Sequence, residues 1–356
     1  MQAQWTVVAK EKLAIKKTSA KPWGKDFDIR KEIGIVGEQK MGMNTDGTWR
    51  TATVVEFIGT EDFPAQWYDR QRFEVDAGRL EEPLLYEDLY RTISDPSLQK
   101  HVTVYKLGPG GVVFDEIKEG SEVKFITIAS SSYPVTMRHY AVGCEYDKDL
   151  LVYNELFNLS IVERAAGKAF NALKNHVHLY PFILYTTTPG YPASNKTGAS
   201  AIGATLSEKI LHTLEDAVTE ATNDTTNPRR GPYALLVGTS MLFKLERALT
   251  QVDQLGFTVQ SSVVDRIQFI IAYDGWTGTR GNKVTTYPGV AANMGYLINL
   301  GYIEQDHQSF EKQPLQRTSG NPDVSRFIWD QEIWDSYFTM YCNPLASTEE
   351  ITFPTS

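Results

Sequence analysis

The sequence predicts an α+β fold, and three observations predict it. A helical pattern of unusual length runs from Asp147 to Asn175, which corresponds to roughly 43 Å at the rise of an α-helix. A β-hairpin pattern comes before it in the chain. A mixed α/β segment follows it and leads into a β-prone, aromatic tail at residues 324–353. No catalytic motif accompanies these elements, so the pattern indicates architecture before chemistry.

Composition limits the class of protein. The 356 residues are enough for about two domains, and 42% hydrophobic residues can form a substantial core. The net charge of −9 argues against a generic nucleic-acid binder. Residues 1–32 differ, since they hold eight basic and four acidic side chains. This basic segment either contacts packaged nucleic acid or an acidic neighbouring subunit, or it is a solvated terminus.

Residues 1–104 are predicted to form an extended N-terminal arm. Short β-prone runs are separated by glycines, charged residues and prolines, among them Pro64, Pro83 and Pro96. Helical periodicity is brief and best at Leu84–Tyr90. A hundred residues with so little periodicity do not predict an independent domain, so we expect the arm to depend on neighbouring structure.

Residues 105–134 are predicted to form a β-hairpin, with strands at Val112–Ile117 and Val123–Ile128. Such a two-stranded ribbon is marginal in isolation and needs a surface to lie on. Charged residues cluster at its tip, and we expect them to contact a neighbouring subunit. They are Lys118, Glu119, Glu122 and Lys124.

The long helix is predicted to begin at Asp147, a plausible N-cap, and to end at Asn175, before Pro181. Its predicted apolar stripe consists of Val152, Leu156, Leu159, Val162, Ala166, Phe170 and Leu173. Its other face carries Arg164, Lys168 and Lys174. We expect these three, together with Lys10, Lys12, Lys16 and Lys17 of the arm, to face DNA or a neighbouring subunit.

The second half of the chain alternates between helix and strand. A capping-box pattern at Thr205 and Glu208 predicts a helix to about Ala221. Residues 233–237 and 266–272 predict strands that flank a helix, and a turn is predicted at residues 274–278. The tail is predicted to be β-rich and broken at Asn343-Pro344.

The sequence lacks the common catalytic motifs. The sequence has no phosphate-binding loop, dinucleotide fingerprint, nucleophile elbow or H-E-x-x-H motif. His176 and His178 form the closest histidine pair, but without a partner cluster they predict ordinary histidines rather than a metal site. Cys144 and Cys342 are expected to be free thiols. We therefore expect no enzyme activity and no cofactor, metal ion or transmembrane span.

The order of arm, hairpin, long helix, mixed α/β segment and β-rich return resembles the major capsid proteins of tailed bacteriophages, which share the Hong Kong 97 fold. The resemblance runs from about Tyr105 to the C-terminus. It implies an N-terminal arm at 1–104, an extended loop at 105–134, a peripheral domain at 135–232 with a spine helix at 147–175, an axial domain at 233–313 and a return to the peripheral domain at 314–356.

The resemblance also implies a function. The chain would assemble as pentamers and hexamers into an icosahedral phage shell around double-stranded DNA, inside the cytoplasm of a bacterial host. Its partners would be copies of itself, the packaged DNA, a portal, a separate scaffolding protein and decoration proteins. Some members of the family cross-link a loop lysine to an asparagine, but Lys118 and Lys124 are interpreted here as ordinary charged contacts.

Two other functions remain open at this point. An encapsulin-type nanocompartment shell resembles the same fold, although its subunits usually begin with a short helix rather than a long arm. A soluble enzyme would use the α/β unit at residues 233–300, with a ligand pocket near Gly238 or Gly275. The contents of assembled shells separate the first alternative from a capsid, and a small oligomer with a ligand pocket would indicate the second.

Overall fold

The structure is a computed structural model, which describes residues 14–16, 41–43, 49–51, 63–106, 131–147, 156–225, 228–249, 263, 265–280, 283–301, 303–319 and 328–355. The helices of these residues are α1 (Phe63–Glu81), α2 (Leu156–Tyr185), α3 (Leu206–Asn223), α4 (Thr239–Leu249), α5 (Ile303–Asp306) and α6 (Pro344–Ser347), with 3-10 turns at Glu87–Leu89 and Ala193–Asn195. The first eight strands are β1 (Ala14–Lys16), β2 (Met41–Met43), β3 (Trp49–Thr51), β4 (Arg91–Ser94), β5 (His101–Lys106), β6 (Ser131–Thr136), β7 (Arg138–Asp147) and β8 (Lys196–Thr197). The remaining strands are β9 (Tyr233–Val237), β10 (Ile267–Ala272), β11 (Gly275–Arg280), β12 (Lys283–Pro288), β13 (Met294–Asn299), β14 (His307–Ser319), β15 (Ile328–Cys342) and β16 (Thr348–Thr352).

A six-stranded sheet with the order β1-β10-β9-β13-β16-β8 forms the centre of the larger core. Strands β9 and β10 are parallel and are connected through α4, as the strand–helix–strand pattern predicted. Every residue of β9 is buried, because helices cover both faces of the sheet. Leu235 packs with α3 and α4 on one face, and Leu236 packs with Leu179 and Phe182 of α2 on the other.

A four-stranded sheet with the order β4-β14-β15-β7 lies beside the middle of α2. Strands β7 and β14 flank β15 in antiparallel register. Alternate residues of β15 therefore face opposite sides, so Trp334 and Phe338 are buried while Ile333 is 45% exposed. The ring of Phe338 meets Phe170 of α2 edge-on at 6.1 Å between centroids. Helix α2 thus packs against both sheets.

The long helix exists, but its predicted bounds are wrong and its predicted stripe is only partly buried. Asp147 does not cap it; that residue ends β7, where it pairs with Ile328. The helix begins at Leu156 and continues through Pro181 to Tyr185, for 30 residues. An internal proline costs about 3 kcal/mol, which the full burial of Leu179 and Phe182 offsets.

Part of the buried face of α2 is polar, although Phe170 of the predicted apolar stripe is buried as expected. Val162, assigned to that stripe, is 47% exposed, and the side chains of residues 152–159 lie outside the described residues. Buried positions recur instead at helical spacing along a different row. They are Glu163, Gly167, Asn171, Lys174 and His178.

Residues 63–90 also differ from the extended arm that was predicted. Residues 63–81 form the 19-residue helix α1, where Pro64 is tolerated in the first turn because its missing N–H would be unpaired there. The brief helical pattern at Leu84–Tyr90 becomes a 3-10 turn at Glu87–Leu89. We call residues 63–90 the docked segment, because it contacts α2 from Glu74 to Tyr90.

The rest of the pattern matches the prediction in part. The capping box of Thr205 and Glu208 is present, and α3 follows it. The turn expected at residues 274–278 is wrong, since these residues enter β11, which pairs with β12 as a separate hairpin. Helix α3, placed by sequence with the peripheral region, packs on the six-stranded sheet, and β14 begins at His307 rather than after residue 313.

Candidate assembly surfaces

The base of the predicted extended loop is an antiparallel ribbon. Strands β5 and β6 pair from His101↔Thr136 to Lys106↔Ser131, so residues 107–130 connect two adjacent strand ends. The ribbon is anchored on the four-stranded sheet by a small core that contains Val104, Met137 and Phe310. Its outer residues Tyr105 and Tyr133 are 64% and 46% exposed. The predicted hairpin strands at Val112–Ile117 and Val123–Ile128 lie outside the described residues.

The docked segment lies parallel to α2. Hydrogen bonds along the described length of the contact join residues 88 to 92 positions apart in sequence, so both segments run in the same direction. The side-chain amide of Asn171 donates to the carbonyls of Arg79 and Glu82, at 2.7 Å each. Asn175 accepts from the amide of Leu85 at 2.8 Å. These amides pair backbone groups just where α1 ends and its last carbonyls lack helical partners.

Two glycines allow the closest approach between the two helices. A Cβ atom on Gly167 would lie 2.1 Å from the carbonyl oxygen of Val75, and a Cβ atom on Gly78 would lie 2.1 Å from that of Arg164. Ordinary contacts at such positions are 3.4–4 Å. Only glycine therefore permits this backbone contact at either position.

His178 holds the C-terminal end of the docked segment in place. Its Nδ1 lies 2.7 Å from the carbonyl oxygen of Lys174, and its Nε2 lies 2.9 Å from the hydroxyl of Ser309. Because a carbonyl only accepts, Nδ1 carries the hydrogen and Nε2 accepts from the serine. The ring of Tyr86 stacks on the imidazole at 3.6 Å, and Tyr90 donates to its backbone carbonyl. Burial lowers the pKa of His178 to about 3, so this histidine is a neutral structural group.

The basic residues predicted on the outer face of α2 are paired within the chain. Lys174 is 4% exposed and lies 3.1 Å from Glu311, with its ammonium near the rings of Phe170 and Phe338. Burial lowers its pKa. The prediction that Lys174 faces DNA or a neighbour is therefore wrong, because its charge is matched and removed from solvent.

Arg164 and Lys168 are only partly buried, but both have acidic partners in α1. Arg164 donates to Glu74 at 2.6 Å and keeps 36% of its side chain exposed. Lys168 forms an ion pair with Glu81 and is 45% exposed. Each remains accessible at one edge, although its charge is largely compensated locally.

Several large apolar side chains remain exposed on the described surface. Ile161 and Val162 are 56% and 47% exposed on the first described turns of α2, and Leu80 of α1 is 53% exposed. Phe243 on the outer face of α4 and Ile202 before α3 are each 64% exposed. Side chains of this size are common at interfaces between subunits.

The remaining predicted site residues fall outside what the structure describes. Lys118, Glu119, Glu122, Lys124, Lys10, Lys12 and Lys17 belong to undescribed segments, and for Lys16 only the backbone of β1 is described. Among the described residues, no cluster of three potential metal ligands occurs. The same part of the chain contains no helix long and apolar enough to cross a membrane.

Both cysteines are free, as expected. Burial, with the nearby carboxylates Glu332 and Glu163, raises the pKa of the Cys144 thiol to about 11. A thiol with so high a pKa is a poor nucleophile.

The contact between the docked segment and α2 was not predicted from the sequence. The strongest signal for it in the sequence is the row of glycine and asparagine residues along one face of α2.

No family model matches the chain, and no curated protein matches it. Solved structures do. A subunit of the mature capsid of bacteriophage PhiM1 is 11% identical, with 77% of this chain and 88% of that chain covered and a TM-score of 0.50. A virus-like particle from Pyrococcus furiosus is 12% identical over 81% of this chain and 99% of that chain, with a TM-score of 0.49. The capsid of the cyanophage P-SCSP1u is 11% identical over 77% of this chain and 89% of that chain, also at 0.49.

Proposed function

We infer that this chain, which has the Hong Kong 97-like fold of phage capsid subunits, is a structural subunit of a closed protein shell. The observation that carries the proposal is the likeness in fold to the PhiM1 capsid subunit, which extends over 77% of this chain. At 11% sequence identity, this structural likeness supports the fold, and the function is our proposal. In this role the chain would be a major capsid protein located in a virion.

The described residues supply a rigid body for such a subunit. Helix α2 is about 45 Å long at the usual helical rise, and it joins the two sheets while the docked segment reinforces one side. The hydrogen bonds between α2 and the docked segment, together with the close contacts at the two glycines, fix the register of the docked segment along α2. In such a subunit, force applied by a contact at one end reaches the other end, because no loop interrupts the long helix.

The ribbon of β5 and β6 is the proposed clamp between subunits. Its base is anchored by Val104, Met137 and Phe310, whereas an isolated two-stranded ribbon is marginal beyond its anchor. We propose that residues 107–130 lie on a second copy of the chain, with Lys118, Glu119, Glu122 and Lys124 in charged contacts there. The exposed Ile161, Val162 and Leu80 are proposed contacts for a neighbouring copy.

The further partners follow from the resemblance in fold and are proposals as well. We propose pentamers and hexamers of the chain, double-stranded DNA on the inner face, and a portal, a separate scaffolding protein and decoration proteins. Because Lys174 is buried and Arg164 and Lys168 are paired, DNA contacts would depend mainly on Lys10, Lys12, Lys16 and Lys17 of the arm.

Electron microscopy of the expressed chain, with and without candidate scaffolding partners, tests the proposal. We expect closed icosahedral shells, and deletion of residues 118–124 should leave a folded subunit that assembles poorly. The matched control is a reversal of the same charges without deletion, which tests charge separately from length. A stable monomer under all conditions contradicts the shell proposal, and unchanged assembly of the deletion variant contradicts the clamp. Nucleic acid inside the shells supports a capsid, whereas a protein cargo supports a nanocompartment of the encapsulin type.

A further inference from the structure

A buried group of charged residues lies at one edge of the six-stranded sheet, where β8 pairs with β16. Arg229 and Glu349 are 1% and 0% exposed, and the Nη2 of Arg229 donates to Oε2 of Glu349 at 2.7 Å. The Nη1 of the same guanidinium donates to Asp224 at 3.1 Å, and Nη2 also reaches the carbonyl of Ser194 at 3.2 Å. One cation is therefore shared between two carboxyl groups.

The contacts of Thr197 show that this group has too few hydrogens for all of its hydrogen bonds if every carboxyl group is ionised. Its Oγ1 lies 2.8 Å from Oε2 of Glu220 and 2.9 Å from Oε1 of Glu349. A threonine hydroxyl has a single hydrogen to donate, and an ionised carboxylate only accepts. Both short contacts are hydrogen bonds only if one of the two carboxyl groups carries a proton and donates it to Thr197.

The proton belongs on Glu349 rather than on Glu220. Glu220 lies on the exposed side of α3, where water stabilises its charge. Burial raises the pKa of Glu349 to about 7; the charge of Arg229 and the hydrogen bond with Thr197 oppose this shift, and the charges of Glu220 and Asp224 add to it. Other polar groups also lie here: the hydroxyl of Tyr233 donates to the carbonyl oxygen of Arg229, and the side-chain amide of Asn195 donates to the carbonyl oxygen of Thr348.

We propose that Glu349 holds a proton at neutral pH and donates it to Thr197, whose own hydroxyl donates to Glu220. This chain of two hydrogen bonds joins β16, β8 and the end of α3. When Glu349 loses the proton, two carboxylates compete for one hydrogen, and the link to β8 weakens. Strand β8 pairs with β16 at only two positions, so this edge of the sheet should loosen as the pH rises. The proposal concerns the single subunit and is independent of shell assembly.

Infrared spectroscopy of the full chain labelled with ¹³C-glutamate tests the proton directly. We expect a protonated glutamate carboxyl band at pH 6 that disappears by pH 8.5, and Glu349→Gln should remove the part that titrates near neutrality. Glu350→Gln is the matched control, because Glu350 is adjacent but pairs with Lys196 at 3.3 Å. This control should leave the band in place.

A second variant keeps the test independent of how well Glu349→Gln folds. Glu220→Gln supplies an amide donor to Thr197, so Thr197 can donate to an ionised Glu349. We expect the band to disappear at a lower pH in this variant, and amide hydrogen exchange at residues 194–198 to depend less on pH. The proposal is overturned if wild-type protein lacks the band at pH 6, or if Glu349→Gln and Glu220→Gln leave its titration unchanged.

Discussion

Substitution of Gly167 by alanine tests the parallel contact between α1 and α2. The new methyl group would lie 2.1 Å from the carbonyl oxygen of Val75 and 3.0 Å from the amide nitrogen of Arg79. Both neighbours are helical backbone, so they cannot move aside as a flexible side chain would. To restore an ordinary contact, the two helices must separate by about 1 Å or more.

Three contributions determine the change in the free energy of unfolding, and the first opposes the other two. Alanine at a helix interior position gains about 1 kcal/mol over glycine. Overpacking of a well-packed contact costs about 1–3 kcal/mol. Separation also stretches the two bonds from Asn171, now 2.7 Å each, and each lost hydrogen bond costs about 1 kcal/mol. The net expectation is a loss of about 2–4 kcal/mol.

The assay is urea unfolding followed by circular dichroism, with wild type and variant compared at one protein concentration. The Gly143→Ala variant is the control, because its nearest new contact is an ordinary 3.8 Å from the carbonyl of Glu332. Gly78→Ala should resemble Gly167→Ala, and the double variant should cost less than the sum, because the first substitution already separates the helices. A Gly167→Ala variant as stable as wild type would refute the reasoning, since helix propensity alone favours it.

Three further predictions concern the same region. Asn171→Ala should cost about 2–3 kcal/mol in urea unfolding, because it leaves two carbonyls unpaired, whereas the exposed Asn223→Ala should change stability by less than about 0.5 kcal/mol; equal effects would contradict the role of Asn171 in holding the docked segment. The pKa of His178 is lowered to about 3 in the folded chain, so the unfolded chain binds more protons between pH 6.5 and pH 3 and stability should fall as the pH drops through that range, by on the order of 5 kcal/mol in total. The His178→Gln variant should lose that slope when unfolding is compared at pH 7 and pH 4, and a slope that persists would show that other groups cause it. Lys174→Met should destabilise the chain by about 3 kcal/mol, because it leaves Glu311 without its cation, and a second substitution, Glu311→Gln, should recover part of the loss; no recovery would show that packing of the lysine stem dominates.

Local sequence patterns predicted the elements whose signals are local. The capping box at Thr205 and Glu208 marks the start of α3 because both partners lie within one turn. The buried strand at residues 233–237 is a continuous apolar run, and its sheet position follows from that run. The predicted fold class and Hong Kong 97-like fold are confirmed by the mixture of helices and strands and by the likeness to the PhiM1 capsid subunit.

The docked segment and the register of α2 could not be predicted in the same way. The face of α2 that is buried carries Asn171, Lys174 and His178, and such residues usually indicate a solvated face. Their partners lie about 90 residues away in sequence, so no local window contains both halves of the contact. The predicted start of α2 at Asp147 is wrong because this residue pairs with Ile328 of β15, a contact distant in sequence that no local pattern reveals.

The parallel arrangement of α1 and α2 has a consequence for synthesis on the ribosome. Helix α1 leaves the ribosome well before its partner, because the contacting residues are 88 to 92 positions apart. At about 5–20 residues per second, the nascent chain waits roughly 5–20 s before α2 is available. During that interval the face of α1 that will contact α2 is exposed to water, where its charged residues Glu74 and Arg79 are well solvated. We expect this face to promote aggregation of the unfinished chain less than an entirely apolar face of the same length would.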